Sequence, residues 1–259
     1  MTFTIHDADL APSTAESSTS TTTLAFSPTS VVPVDKLAVL VCVFDNPDGT
    51  NADDTSKMAV SDNRGNGWNK GYESSFSPGG VAEDGCANGI YYSVITTQIE
   101  VTDTITVTFS AAITFKGCTM ATFNRDPAQS IAVAGAAAER VNGTAYTVTV
   151  GSLTSEPHLW IGQNGMERTP TDTNGVDPSW AGTPLTQGGG SNWGAGSGTS
   201  AAIGARAAYL IETSTTQTYD NTTLGGADRC TVLVAFREFT PGGGGTVADP
   251  FGMSGFFGG

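Results

Sequence analysis

Residues 103–109 place the strongest constraint on the fold, because threonine and apolar side chains alternate strictly in Asp103-Thr-Ile-Thr-Val-Thr-Phe109. Successive side chains of an extended strand point to opposite faces of a sheet. A period of two therefore predicts a strand with one buried and one solvated face. Residues 146–150 repeat the pattern as Tyr-Thr-Val-Thr-Val. Half-buried strands of this kind are typical of antiparallel sheets.

A second kind of strand is predicted at Leu37-Ala-Val-Leu-Val-Cys-Val-Phe44, which is apolar throughout. A short, β-branched run of this kind is typical of a strand that is buried on both faces. Residues 57–61 and 67–72 flank the turn formers at 62–66 and predict a hairpin. Further strands are predicted at 90–95, 113–123, 158–161, 207–211 and 231–236, each bounded by turn residues.

The composition argues against helices, because the chain is rich in Thr and Ser and contains 33 Gly and 12 Pro. These residues restrict side-chain rotamers, compete for backbone hydrogen bonds or break helices. Residues 132–140 form the one possible helical turn, and Gly135 weakens it. We therefore predict an all-β protein: an antiparallel β-sandwich or jelly roll of about a dozen strands.

The sequence divides into a body and two extended ends. Residues 1–30 are predicted as an N-terminal strand and a Ser/Thr-rich segment, which forms either an extended arm or an exposed strand. Residues 31–240 form the sandwich body. Within it, the Gly-, Thr- and Trp-rich stretch 166–204 exceeds an ordinary connection, which indicates a functional or interface loop. Residues 241–259 are a glycine linker followed by an aromatic tail.

The charge balance restricts the partners. There are 11 Lys and Arg against 25 Asp and Glu, for a net charge of -14. This argues against nucleic acid, whose phosphates need clustered basic residues, and disfavours anionic membranes. No apolar run has the length of a membrane helix and no signal peptide is recognisable. The chain is therefore predicted to be made in a cytoplasm, and either to stay there or to leave without a signal peptide.

The sequence offers no recognisable catalytic machinery, and we predict a non-enzymatic protein without a cofactor. His6 and His158 have no nucleophile partner in sequence, and serine-elbow, phosphate-loop and zinc-protease motifs are missing. A carboxylate pair for glycoside hydrolysis is not excluded, but the acidic residues are scattered. The four cysteines form no CxxC pair and are predicted to be buried free thiols.

No metal site is predicted, although two acidic loops contain calcium-type ligands. The first includes Asp45, Asp48 and Asp53, which are the weak calcium candidates, and the second covers residues 172–177. Neither loop has the spacing of an EF-hand. Asp and Asn are also common turn residues, and turn formation is the more frequent role.

Aromatic residues supply the remaining contact candidates. Trp180 and Trp193 lie with Asn192 in the long loop, where they suit a protein interface, a stacked sugar or local packing. The C-terminal tail is either a disordered end or a peg that docks on a neighbouring subunit. Its candidate interface residues are Phe251, Met253, Phe256 and Phe257.

The segment Val60-Ser-Asp-Asn-Arg-Gly-Asn-Gly-Trp68, followed by the strands at 90–95 and 103–109, resembles β-sandwich structural proteins of tailed bacteriophages. These proteins often carry a Ser-Asp-x-x-Gly-Asn-x-Trp/Tyr hairpin before a threonine-alternating strand. The resemblance covers residues 37–125 and extends more weakly to residue 239. Gly67 departs from the pattern, which has Thr before the aromatic residue. Similar hairpins also occur in bacterial surface modules.

The resemblance implies a virion component with no catalytic residues, either a capsid-surface decoration (cement) protein or a tail appendage. Its implied partners are other copies of itself and other virion proteins, including the major capsid protein. Edge strands and extended arms would join neighbours by strand addition, and the candidates are the Ser/Thr-rich arm at residues 11–30 and the aromatic tail from residue 246. The alternative is a tail-associated, carbohydrate-binding adhesin whose tryptophan loop contacts a host glycan.

Overall fold

A computed structural model describes residues 3–12, 14–82, 84–143, 145–167, 182–186, 193–196, 202–221 and 227–241. These residues form strands, turns and loops, and none of them is helical. Within them, no helix is long and apolar enough to cross a membrane. The predicted all-β, antiparallel class is confirmed.

The strands are numbered in chain order. Their bounds are β1 Thr4–Asp7, β2 Glu16–Ser17, β3 Thr21–Phe26, β4 Leu37–Asp45, β5 Ala52–Asp53, β6 Met58–Asp62, β7 Asn69–Phe76, β8 Cys86–Val94, β9 Ile105–Ile113, β10 Lys116–Asn124, β11 Ser130–Gly143, β12 Tyr146–Val150, β13 Pro157–Met166, β14 Thr183–Leu185, β15 Trp193–Gly196, β16 Ala202–Thr213, β17 Gln217–Asn221 and β18 Ala227–Phe239.

Four antiparallel sheets pack in layers. The first inner sheet has the order β1-β10-β4-β8-β7-β5, with β2 also on β10. The second inner sheet has the order β11-β18-β13-β16-β14, with β15 also on β16. Two small sheets, β3-β9-β6 and β12-β17, cover the outer faces of the first and second inner sheets. The protein is therefore a sandwich with an additional layer on each side.

Strand β4 is buried at all nine positions, as its apolar run predicts. Its odd-numbered residues, such as Val39 and Val41, join the core between the two inner sheets. Its even-numbered residues, such as Leu40 and Phe44, join a second core beneath β3-β9-β6. The alternating strand β9 supplies Ile105, Val107 and Phe109 to that second core, while its threonines point outward.

Residues 132–140 form part of strand β11, so the possible helical turn is wrong. A β-bulge between Val133 and Gly135 shifts the register against β18. The bulge moves the apolar alternation by one position, so that Ile131, Val133, Ala136 and Ala138 all pack on the inner core. A Cβ atom at Gly135 would lie 2.8 Å from Val150 Cγ1. Close approach of β12, not helix breaking, therefore accounts for this glycine.

The predicted hairpin of residues 57–61 and 67–72 is also wrong. Strand β6 pairs with β9 in an outer sheet, whereas β7 pairs with β8 in an inner sheet. The segment between them is a corner that carries the chain from one layer to the next. β6 and β7 do not pair with each other, because each pairs with a strand from a later part of the sequence.

Side chains of the Ser61–Trp68 segment hold this corner. The Asp62 carboxylate accepts hydrogen bonds from the Arg64 amide at 2.9 Å and from Trp68 Nε1 at 2.7 Å. Asn66 Oδ1 accepts the amides of Thr96 and Thr97, each at 2.9 Å, and Asn66 Nδ2 donates to the Thr97 carbonyl. The turn residue Gly65 has φ +77°, a conformation that favours glycine. The motif that carries the phage resemblance is therefore a structural corner.

The N-terminal segment belongs to the fold. Strand β1 pairs with β10, and β3 pairs with β9 through Thr23–Phe26. Leu10, Leu24 and Phe26 are buried in the core beneath the outer sheet. Of the two forms left open by the sequence, the Ser/Thr-rich segment is a strand in the structure, and its backbone is paired within the chain.

The described parts of residues 166–204 also contain short strands. Strands β14 and β15 both pair with β16. Leu185 is fully buried in the core between the inner sheets. The other predicted parts of this loop, at 168–181, 187–192 and 197–201, lie outside the described residues.

We predict that Asn66→Ala lowers the free energy of unfolding by about 1–2 kcal/mol, because the buried Asn66 side chain accepts the amides of Thr96 and Thr97 and donates to the Thr97 carbonyl. Denaturant unfolding measures the effect. Asn69→Ala is the matched control, since Asn69 is exposed in the same segment, and it should change stability by less than about 0.5 kcal/mol. Equal effects of the two substitutions would contradict the structural role of Asn66.

Candidate functional site

The main candidate site is the free edge of β11, a strand of 14 residues. β11 pairs with β18 from Ser130↔Phe239 to Gly143↔Ala227. Within the described part of the chain, no strand pairs with its other side. Among the described residues, the backbone N–H and C=O groups on that side are left unpaired by any strand, as at the edge of a sheet.

Both faces of β11 are covered. Ile131 and Val133 pack on the inner core, whereas Ala134, Ala137 and Val141 pack beneath β12-β17. The strand thus lies between two layers, and the side away from β18 is its backbone edge. Residues 130–138 contain no charged side chain. Charges on an edge strand oppose pairing with other chains, so this stretch lacks a common form of protection.

Charge appears only near the far end of the edge, at Glu139 and Arg140. Arg140 Nη1 donates to Asp53 Oδ1 at 2.5 Å, which connects β11 to β5 of the other inner sheet. Glu139 Oε2 accepts the amide of Thr147 in β12. Both charged groups are engaged within the chain and leave residues 130–138 unobstructed.

A polar groove of about 480 Å³ lies beside the start of β11. Its lining combines the Tyr92 ring and the side chains of Asn69 and Gln129 with Arg125. The Arg125 side chain is only 6% exposed, and its nearest carboxylate, Asp35, is 4.0 Å away. Arg125 Nη1 donates to the carbonyls of Asp126 and Gln129, whereas its buried Nε has no hydrogen-bond partner among the described residues. A ring, amides and a guanidinium are groups that bind polar or sugar-like ligands.

Three carboxylates converge elsewhere, at the end of β13. Oxygen atoms of Asp84, Glu167 and Asp228 lie within 4.8 Å of one another. Glu167 Oε2 accepts the Gly85 amide at 2.9 Å, and Asp84 Oδ2 accepts the Ser77 hydroxyl at 3.3 Å. Oxygen ligands of this kind are those that Ca²⁺ prefers, so these are the described residues best placed to hold a cation.

Burial raises the pKa of Glu167, and the charges of Asp228 and Asp84 raise it further. Burial, together with the charge of Asp84, likewise raises the pKa of Asp228. The cluster is therefore electrostatically unfavourable when all three groups are ionised. The three residues are far apart in sequence, and no local sequence pattern predicts that they lie close together.

The three weak calcium candidates, Asp45, Asp48 and Asp53, each interact with a different partner. Asp45 Oδ2 accepts the Phe115 amide at 2.7 Å. Asp48 pairs with Lys57, and Asp53 pairs with Arg140. Hydrogen bonds from Lys57 and Thr50 hold the pKa of Asp48 below its usual value, although burial opposes this shift. These three carboxylates are not among the described residues that converge on one point.

The other sequence-based candidates are only partly described. Trp193 begins β15. Trp180, Asn192 and the tail residues Phe251, Met253, Phe256 and Phe257 lie outside the described residues. The histidines are separated: His6 Nδ1 lies 2.9 Å from Thr122 Oγ1, whereas His158 is fully buried beside Trp160. All four cysteines are buried free thiols.

Comparison of the chain with models of known protein families, with curated proteins and with solved structures finds no match. Function must therefore be inferred from the residues and their arrangement.

We predict that Asp228→Asn stabilises the protein by about 1 kcal/mol at pH 7, because it removes one charge from the acidic cluster. A carboxyl group with a raised pKa in the folded state favours folding at low pH, and this contribution is lost as the pH rises through the folded-state pKa. The difference between variant and wild type should therefore vanish near pH 3, where the carboxyl groups are protonated.

Denaturant unfolding from pH 3 to pH 8, with a chelator present, measures this difference. Asp54→Asn provides a control of opposite sign, because Asp54 lies in an exposed ion pair with Lys70 at 2.8 Å. The Asp54→Asn variant should have a free energy of unfolding up to about 0.5 kcal/mol lower than that of the wild type at pH 7. An Asp228→Asn variant that is less stable than wild type at pH 7 would contradict the electrostatic account.

Proposed function

We propose that this chain is a non-enzymatic structural component of a bacteriophage virion, most specifically a capsid-surface decoration or cement protein. It assembles with other copies of itself and with other virion proteins, such as the major capsid protein. The observation that carries the assembly proposal is the free edge of β11, which is long, uncharged over residues 130–138 and covered on both faces.

Strand addition fits this edge better than face-to-face docking. The exposed large apolar side chains in the described residues are four valines, Val31, Val34, Val81 and Val101. None of these valines lies on β11. The described residues of β11 therefore offer a backbone edge and no exposed apolar patch. An added strand would instead form main-chain hydrogen bonds along the edge, and side chains at alternate positions would provide specificity.

The proposed occupant of the edge is the C-terminal tail of a neighbouring copy. Because β18 ends at Phe239, which pairs with Ser130, the tail leaves the body one strand away from the edge. Beyond Phe239 the sequence continues through four glycines at 242–245 to Phe251, Phe256 and Phe257, whose apolar side chains a neighbouring copy would bury. A tail can therefore start at one body and reach an adjacent one.

The placement in a virion is supported by the resemblance of residues 37–125 to phage β-sandwich proteins. The structure accounts for the Asp, Gly, Asn and Trp of the shared segment as a corner between two layers. Such a corner suits a layered structural body and requires no ligand.

A second candidate function, favoured by the polar groove, is a carbohydrate-binding adhesin of the phage tail. Tyr92 presents a ring beside Asn69, Gln129 and Arg125, a combination that suits the apolar face and hydroxyl groups of a sugar. In this case the groove, together with the tryptophan loop, would contact a host glycan.

We predict that the full chain self-associates and that Ala132→Lys weakens this association at least tenfold. Ala132 is half-buried in β11, and a lysine on an edge strand opposes addition of another strand. Deletion of residues 246–259 should have the same effect. Sedimentation velocity over a range of concentrations measures it, in about 0.5 M salt, which screens repulsion between copies of net charge -14.

Thr108→Lys is the matched control, because Thr108 is an exposed residue on the outer strand β9, away from β11. It should leave association unchanged. A chain that is monomeric at all concentrations, or one whose association is unaffected by both changes, would argue against assembly through this edge.

The virion placement has its own test, immunogold electron microscopy of particles of the phage that encodes the chain. Gold over the head is the expected result. Gold at the tail tip or fibres would favour the adhesin. Unlabelled particles in which mass spectrometry also finds no peptide of the chain would overturn both functions.

A further inference from the structure

Two of the four cysteines face each other across neighbouring strands. Cys42 in β4 lies directly opposite Cys118 in β10 in the antiparallel register. The two residues are distant in sequence, and only the pairing of these strands brings them together. This juxtaposition does not depend on the proposed function.

The hydrogen-bond pattern identifies the kind of pair that they form. The Cys118 amide donates to Ala15 at 2.9 Å, and the Met120 carbonyl accepts the Leu10 amide at 3.0 Å. Both bonds point away from β4. Since backbone direction alternates along a strand, Cys42 and Cys118 form a non-hydrogen-bonded pair of the β4-β10 ladder.

Such pairs have Cα atoms about 4.5 Å apart and place their side chains closest together. Disulfides span Cα distances of roughly 4.4–6.8 Å. The local backbone therefore permits a disulfide here.

Both thiols point into the same core. Cys42 and Cys118 are fully buried among side chains such as Leu40 and Met120 beneath the outer sheet. Cys42 Sγ lies 3.8 Å from the Val43 carbonyl oxygen, and Cys118 Sγ lies 3.7 Å from the Ala15 carbonyl oxygen. Each is a weak thiol interaction that a covalent bond can replace.

We propose that Cys42 and Cys118 are a latent disulfide site, which closes when the chain folds in the presence of a small-molecule disulfide such as oxidised glutathione. One cysteine thiolate attacks a sulfur of glutathione disulfide and expels one glutathione thiolate. The second cysteine thiolate then attacks the mixed disulfide and expels the other. The two cysteines lose two electrons and two protons, and one glutathione disulfide becomes two molecules of glutathione.

Burial determines when this reaction can occur. Desolvation raises the pKa of Cys42, and the neighbouring Cys118 raises it further. Desolvation also raises the pKa of Cys118. Because the thiolate is the nucleophile, the folded, reduced protein should react slowly, whereas the thiols of a folding chain remain accessible. Once formed, the buried disulfide is equally shielded from reductants.

The other two cysteines differ in geometry. Cys86 and Cys230 lie in the core between the inner sheets, on β8 and β18, which belong to different sheets and share no ladder. Cys86 Sγ contacts the Asp228 carbonyl at 3.8 Å. They therefore serve as an internal comparison for the facing pair.

The test is to unfold the reduced chain, refold it with reduced and oxidised glutathione, alkylate the remaining thiols in denaturant, and map the tryptic peptides without reduction. The positions of Lys and Arg place each cysteine in a separate peptide. We expect peptide 37–57 linked to peptide 117–125, and loss of this species after reduction. The disulfide closes a loop of roughly 75 residues and should raise the Tm by about 10 °C.

The variant Cys118→Ala should lose both the linked peptide and the oxidant-dependent rise in Tm. In wild type that meets oxidised glutathione only after folding, Cys42 and Cys118 should stay reduced for much longer than in chain that refolds in its presence. Alkylation in denaturant after the incubation measures this. Alkylated Cys42 and Cys118 in wild-type chain that has refolded oxidatively, with native circular dichroism, would overturn the proposal. A linkage of either residue to Cys86 or Cys230 in that chain would also overturn it, and these two results need no variant to fold.

Discussion

The two-sided burial of strand β4 is the constraint on which the remaining structure depends. An apolar run that is covered on both faces requires a sheet on each side. The second inner sheet covers one face of β4, and the small sheet β3-β9-β6 covers the other. The half-apolar strands β9 and β12 can serve only as outer layers, because their threonine faces must remain solvated. A layered protein with few exposed apolar side chains follows from these two requirements.

Layering also limits where the proposed strand addition could occur. Its faces are covered by threonine-rich outer sheets, whereas the edge of the second inner sheet ends in β11. The bulge at Val133/Gly135 keeps side chains of this strand packed on both faces, so its backbone forms the edge of the sheet. An assembly protein built from such a body needs no apolar patch. The corner at Asp62 and Asn66 contributes indirectly, because it holds an outer layer on the inner sheet.

The sequence predicts local features well and non-local ones poorly. Period-two alternation located β9 and β12, and the apolar run located β4, because each pattern reflects burial along one strand. The pairing of β6 with β9 could not be predicted from a turn motif, since the choice of partner depends on distant strands. The same reason explains why the convergence of Asp84, Glu167 and Asp228 and the facing of Cys42 and Cys118 had no sequence signal. The bulge in β11 made a strand resemble a helical turn, because it interrupts the alternation.

If the outward edge of β11 pairs with another chain, the β11 amides that point away from β18 must change when copies associate. Their hydrogen exchange can be measured on the full chain from dilute to concentrated solution. We expect these amides to become protected as the chain associates, while exposed amides elsewhere keep their rates. Association without any added protection on β11 would show that another surface joins the copies.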